Sequence, residues 1–189
     1  MVADVNGDDI PEIVTLTKIN QTGQANKLTI WDYRQRRQIA TKRQEATFEG
    51  LAVLPGPRSG TSWLVTGSND GFITRFLFED EQLTRERRRL APHGVCRIIG
   101  ALDILPEAGD ELIANLGVGK TLVLMDAELN PLAVHHDDNV GGSQSPMLWK
   151  RAYDKTTLVV GDYKSQFHLD FVPVSYQVPA GAKVAAGWL

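Results

Sequence analysis

"SWLVTGSNDGFITRFLFED" (residues 62–80) sets two runs rich in β-branched, aromatic and aliphatic residues on either side of a Ser-Asn-Asp-Gly turn. Such residues fit a pleated strand, and Asn, Asp and Gly supply the backbone freedom that a tight reversal needs, so the stretch predicts a β-hairpin. The same strand–turn–strand pattern recurs. "PEIVTLT" is followed by "NKLTIWDY", "DELIANLG" by "KTLVLMDAEL", and "TTLVVGD" by "SQFHLDFVPV". With Ile13, Leu64, Leu112 and Leu158 taken as equivalent, the intervals are 51, 48 and 46 residues. A further apolar run precedes each of the last three hairpins: "GLAVLP", "RIIGALDILP" and "PMLWKRA". The repeat therefore reads as strands A, B and C with an outer strand D. Only "FEDEQLTRERRRL" (residues 78–90) is ambiguous between strand and helix.

Four strands in somewhat under 50 residues match one blade of a β-propeller, and an internal period of that length points to a propeller or solenoid. A lone four-stranded sheet cannot bury both of its faces, whereas stacked sheets can. The expected fold is all-β and β-propeller-like, with about four four-stranded antiparallel blades. It is either a complete small propeller or a fragment of a larger one; a β-sandwich is the competing arrangement. The repeats fall at residues 1–45, 46–94, 95–140 and 141–178 of a single domain, 1–189. Residues 179–189 form a tail or closing strand. Three residues precede Asp4, so the first repeat is expected to lack its A strand, and the small apolar tail "AKVAAGWL" is the candidate replacement.

Composition narrows the function. The 189 residues are 42% hydrophobic and 23% charged, ordinary values for a globular chain. A net charge of −3 gives no electrostatic reason to expect nucleic acid as the main partner. One cysteine, Cys96, rules out an intrachain disulfide framework. No apolar run reaches the ~18 residues of a membrane-spanning helix, so membrane insertion is not expected.

The densest polar feature is the start. "DVNGDDIPEIV" (residues 4–14) gathers Asp4, Asn6, Asp8, Asp9 and Glu12 around a glycine, immediately before a strand. Carboxylates at this density repel unless a cation offsets them, and alternate positions on a tight loop can turn several oxygens towards one calcium ion. An EF-hand does not fit, because the last acid falls at the ninth position and a strand follows. A metal-free Asx turn is the competing reading. The stretch resembles the calcium loop of FG-GAP and VCBS repeats, found in integrin-type and many bacterial propellers. That resemblance implies side-chain ligands from Asp4, Asn6, Asp8 and Glu12 and the backbone carbonyl of Ile10, around one structural Ca²⁺. Asp9 stands where the family prefers glycine, a mild departure because Asp tolerates left-handed backbone.

The equivalent stretches in the other repeats are poorer. Asp103 and Glu111 keep the separation of Asp4 and Glu12, but Leu105 replaces the Asn and Glu107 alone fills the middle, so that loop reads as a decayed site. Arg58 and Lys150 occupy the second and fourth loops and disfavour a cation. His135, His136, Asp137 and Asp138 are adjacent, and neighbours on a strand point to opposite faces, so a solvated loop is the better reading. "GVGK" (residues 117–120) is a hairpin turn rather than a phosphate loop. Cys96, with His93 nearby, reads as a core thiol. Residues 85–89 read as a solvated outer strand or linker rather than a nucleic-acid patch, and Trp31, Trp63 and Trp149 as packing between blades.

No catalytic constellation stands out. The resemblance implies a calcium-stabilised, non-catalytic recognition module, extracellular or in the cell envelope, with a protein or polysaccharide ligand on its loop face. It is a homo-oligomer if the propeller is completed between chains. The rival class is a propeller enzyme such as a polysaccharide lyase or quinoprotein-like dehydrogenase.

Overall fold

The structure, a computed structural model, describes residues 1–18, 25–89, 94–103, 109–116, 121–136, 147–152, 155–161 and 166–170. They are all-β, with no helix among them. The first sheet joins β1 (Val2–Ala3), β2 (Glu12–Thr17), β3 (Asn26–Asp32) and β4 (Arg37–Gln44). The second joins β5 (Phe48–Pro55), β6 (Ser62–Ser68), β7 (Phe72–Glu79) and β8 (Gln82–Arg89). The third joins β9 (Cys96–Leu102), β10 (Glu111–Leu116), β11 (Thr121–Met125) and β12 (Pro131–His136). A fourth has β13 (Met147–Ala152), β14 (Lys155–Gly161) and β15 (Gln166–Asp170). Every paired strand is antiparallel and lies beside its sequence neighbour. The sheets do not close into a ring among the described residues.

Burial follows the sequence pattern. In β2 the side chains alternate, Glu12 and Val14 buried and Ile13 exposed, as expected for a sheet covered on one face. In contrast, β7 is buried continuously from Ile73 to Phe78, because the second sheet is covered on both faces. On one side Leu64, Phe76, Phe78 and Leu83 meet Val14, Leu28, Ile30 and Ala40 of the first sheet. On the other, Ala52, Leu54, Val65 and Ile73 meet Cys96, Ile98, Leu112 and Ala114 of the third. Each large aliphatic or aromatic side chain fully buried here contributes roughly 1.5–3 kcal/mol.

The second and third sheets approach through glycine. At the start of β5, Phe48 pairs with Ser68 and Leu51 with Thr66, so Glu49 and Gly50 together oppose Gly67 in a bulge. Gly50 has φ +87°, and a Cβ there would lie 2.0 Å from the Ile98 carbonyl oxygen. A Cβ on Gly67 would lie 2.0 Å from the Cys96 carbonyl oxygen. Polar ties reinforce the boundaries. Glu49 takes Lys18, which follows β2 of the first sheet, at 2.7 Å and Arg97 of β9 at 3.3 Å. Arg75 stacks 4.4 Å over the Trp63 ring, pairs with Glu86 and donates to the Ala127 carbonyl.

Two expectations change here. The first repeat does have a strand in the A position: β1 pairs Val2 with Ile13 and Ala3 with Glu12, and Met1 and Val14 exchange two backbone hydrogen bonds. Two residues are too few to show a sequence pattern. The ambiguous stretch is a hairpin: Asp80 and Glu81, at φ 50° and 59°, make a two-residue turn from β7 into β8. Residues 171–189, including the candidate closing tail, lie outside the described residues, as do His93, Leu105, Glu107, residues 117–120, Asp137 and Asp138.

Candidate metal site

The acidic loop links β1 to β2 and turns on two left-handed residues, Gly7 at φ +81° and Asp9 at φ +62°. Asp9 thus adopts the backbone that glycine would take more freely. The carboxylates organise the turn from within. Asp4 Oδ1 accepts from the Asn6 and Gly7 N–H groups at 3.3 and 2.8 Å, and its Oδ2 from Asp9 N–H at 2.9 Å. Asp8 Oδ1 accepts from Ile10 N–H at 2.8 Å, and Asn6 Oδ1 from Asp8 N–H at 2.9 Å.

Three of the expected ligands are brought together. Asn6 Nδ2 donates to Asp8 Oδ2 at 3.1 Å and to Glu12 Oε1 at 3.2 Å, so the amide NH2 sits between two carboxylates. Asp4 is turned towards the backbone instead. Glu12 is buried, and its other oxygen accepts Val5 N–H at 3.1 Å. Burial pushes the Glu12 carboxyl above its usual range; the Val5 bond opposes this, while the charges of Asp8 and Asp4 add to it. Arg34 stands within electrostatic range of Asp8: its pKa is raised first by the hydrogen bond to the Tyr33 hydroxyl and then also by Asp8 and Asp32.

The donor set suits a hard cation. The carboxylates of Asp8 and Glu12 are hard oxygen donors, but the Asn6 group between them is its Nδ2; offering Oδ1 there needs a half-turn of the amide that gives up the bond from Asp8 N–H. Among the described residues, no group of three or more His, Cys, Asp or Glu is placed to hold a metal ion. Any such site therefore needs Asn6 or a backbone carbonyl, the role expected of Ile10.

The loop is anchored to the second sheet, which sequence reading missed. Ser62 Oγ, 58 residues away, donates to the Asp4 carbonyl at 2.9 Å. A Cβ on Gly7 would lie 3.1 Å from the Gly60 carbonyl oxygen, so the two A–B loops touch backbone to backbone. Val5, in the first loop, is fully buried in the core shared by the first and second sheets. In the second loop, Gly56 N–H bonds the Thr61 carbonyl at 2.8 Å and Arg58 pairs with Glu79 at 3.3 Å, a carboxylate-free turn with its own internal bonds. In the third, Asp103 is exposed and Glu111 is buried opposite Leu102, as Glu12 is opposite Ala3. Comparison with known proteins adds no relative: no family model and no curated sequence matches the chain.

Proposed function

We propose that the chain is a β-propeller-type, FG-GAP-like recognition module, non-catalytic, in which one Ca²⁺ bound by the first A–B loop fixes the first sheet against the second. The observation that carries this reading is the meeting of Asn6, Asp8 and Glu12 on a loop bonded to the second sheet through Ser62. Asp4 and the Ile10 carbonyl complete the expected ligand set. Stacking of the first sheet on the second and of the second on the third, in chain order, supports the propeller part. So does the open face of the first sheet, where Val2, Ile13 and Trp31 are cross-strand neighbours 64%, 39% and 39% exposed. A further sheet, from this chain or a second copy, would cover that row. The reading carries with it a location outside the cell or in its envelope, where calcium is millimolar, and a protein or polysaccharide partner.

The test is calorimetric titration of the intact chain with calcium, with melting followed in chelator and in millimolar calcium. For a Kd of roughly 10⁻⁴–10⁻³ M, millimolar calcium stabilises by on the order of 1 kcal/mol, a rise of a few degrees. Asp8→Ala abolishes the response. A wild-type chain with no heat of binding and no change in melting reduces the loop to an Asx turn, and the extracellular assignment goes with it.

A further inference from the structure

We propose that the adjoining outer strands β4 and β8 form a cleft that binds an acidic polysaccharide, a chain carrying carboxylate or sulfate groups at the spacing of its sugar rings. This names a partner class for the recognition module, but it rests on the placement of charge and not on the calcium loop.

Nine of the 20 basic residues lie within residues 34–43 and 85–89, where Glu86 is the sole carboxylate; the remaining 11 share the rest of the chain with 22 carboxylates. The two runs are far apart in sequence, yet β4 packs against β8. Register decides which positions meet. Lys42 lies opposite Leu28, and Leu28 is on the face of the first sheet that packs on the second. Arg85 lies opposite Phe76, on the face of the second sheet that packs on the first, and Arg87 and Arg89 follow at every second position. Ala40 and Leu83, both buried, close the inner side. The strand positions of one lysine and three arginines therefore front a common boundary.

Like charges placed together destabilise a sheet boundary unless a counter-charge joins them. Glu86 does not serve: it belongs to the opposite face and pairs with Arg75. Among the described residues no carboxylate pairs with Lys42, Arg43 or Arg85. The spacing favours a sparsely charged chain. Alternate strand positions repeat at roughly 7 Å, whereas a DNA duplex presents one phosphate per about 1.7 Å. The surplus of carboxylates elsewhere on the chain would also repel the flanks of a duplex.

The experiment measures binding of the full chain to heparin, polygalacturonate, neutral dextran and a short DNA duplex, across a salt series, in calcium and in chelator. Arg85→Gln with Arg87→Gln is compared with Arg34→Gln with Arg36→Gln, which removes equal charge outside the cleft. The expected result is salt-sensitive binding to one or both acidic polysaccharides, and heparin against polygalacturonate identifies sulfate or carboxylate as the recognised group. The cleft pair should lose about tenfold or more, the scale of one charge-assisted contact, and the control pair under about threefold. Lys42→Gln, on the opposite wall, gives the same loss if the arginine pair does not fold. Persistence of binding in chelator separates this proposal from the calcium reading. No binding, equal binding to DNA, or equal losses in the two pairs overturns it. So does aggregation of the cleft variant with undiminished binding, since the basic residues would then only protect an exposed edge.

Discussion

Adding one methyl group at Gly67 tests the stacking of the second and third sheets. The new Cβ would lie 2.0 Å from the Cys96 carbonyl oxygen, 2.8 Å from its carbon and 3.0 Å from the Glu49 carbonyl oxygen. An ordinary C···O approach is about 3.3 Å, so β9 must retreat by about 1.3 Å or β6 must bend. All of the obstructing atoms are backbone, and none can swing aside as a side chain would. A gap of 0.5–1 Å already forfeits a quarter to a half of a van der Waals contact, and the boundary opened here holds Ala52, Leu54, Val65, Ile73, Cys96, Ile98 and Leu112. Overpacking typically costs about 1–3 kcal/mol, and a backbone clash falls at the upper end, about 3 kcal/mol. For a chain of this size that lowers the melting temperature by roughly 6–12 °C. Gly50→Ala adds left-handed strain of about 1–2 kcal/mol to an equal clash and should be worse. Gly109→Ala, at φ +136° with nothing within 4 Å, isolates the strain alone. Thermal denaturation by circular dichroism ranks the three. A Gly67→Ala protein that melts within about 2 °C of wild type would refute the close approach of the sheets.

Two further outcomes follow from titratable groups. Cys96 is fully buried and burial pushes its thiol up to about 12, so native protein at pH 8 should not react with a thiol reagent until it is unfolded, as a stopped or continuous thiol assay will read. Glu12 has a folded pKa above its unfolded one, so the folded state holds the proton more tightly. Its contribution to stability is therefore full below the unfolded value near 4.5 and is lost as pH rises through the folded value. In chelator, Glu12→Gln should flatten that part of the pH–stability curve, whatever stability it loses at pH 7 because its single oxygen cannot accept from both Val5 N–H and Asn6 Nδ2; an unchanged slope would contradict the assigned cause.

Much of the sheet architecture was legible because its signals are local. The hairpin of residues 62–80 carries both β-rich strands and its turn within one stretch, and β2 with β3 and β10 with β11 are likewise strand pairs close in sequence. Strand β8 was ambiguous for a physical reason: it is an outer strand with Leu83 buried and Thr84, Arg85 and Glu86 exposed, so it lacks the alternation that marks a half-buried strand. The short β1 was invisible at two residues. The bulge at Glu49 and Gly50 and the stacking of Arg75 on Trp63 depend on partners in another sheet, which no local pattern encodes.

The acidic loop divides in the same way, and the division separates the residues that bear on the proposed calcium from those that only make the turn. Asp4 and Asp8 accept backbone N–H groups two to five residues ahead, which an Asx turn alone would explain. Glu12 is not explained by a turn, since it is buried among other carboxylates. Yet Glu111 is buried at the matching register position of the third sheet, beside a loop in which Leu105 stands for Asn6. A buried glutamate at the head of the B strand is thus common to both sheets and fits a structural part, as Glu12 plays in holding Val5 N–H. What the first loop has in addition is Asn6 set between Asp8 and Glu12, on a turn bonded to Ser62 of the next sheet. The case for a cation therefore rests on Asn6 and Asp8 more than on the count of acids. Because Asp8 Oδ1 also holds Ile10 N–H, Asp8→Ala separates an ion-binding loop from a turn only through loss of the calcium-dependent rise in melting, not through loss of stability in chelator.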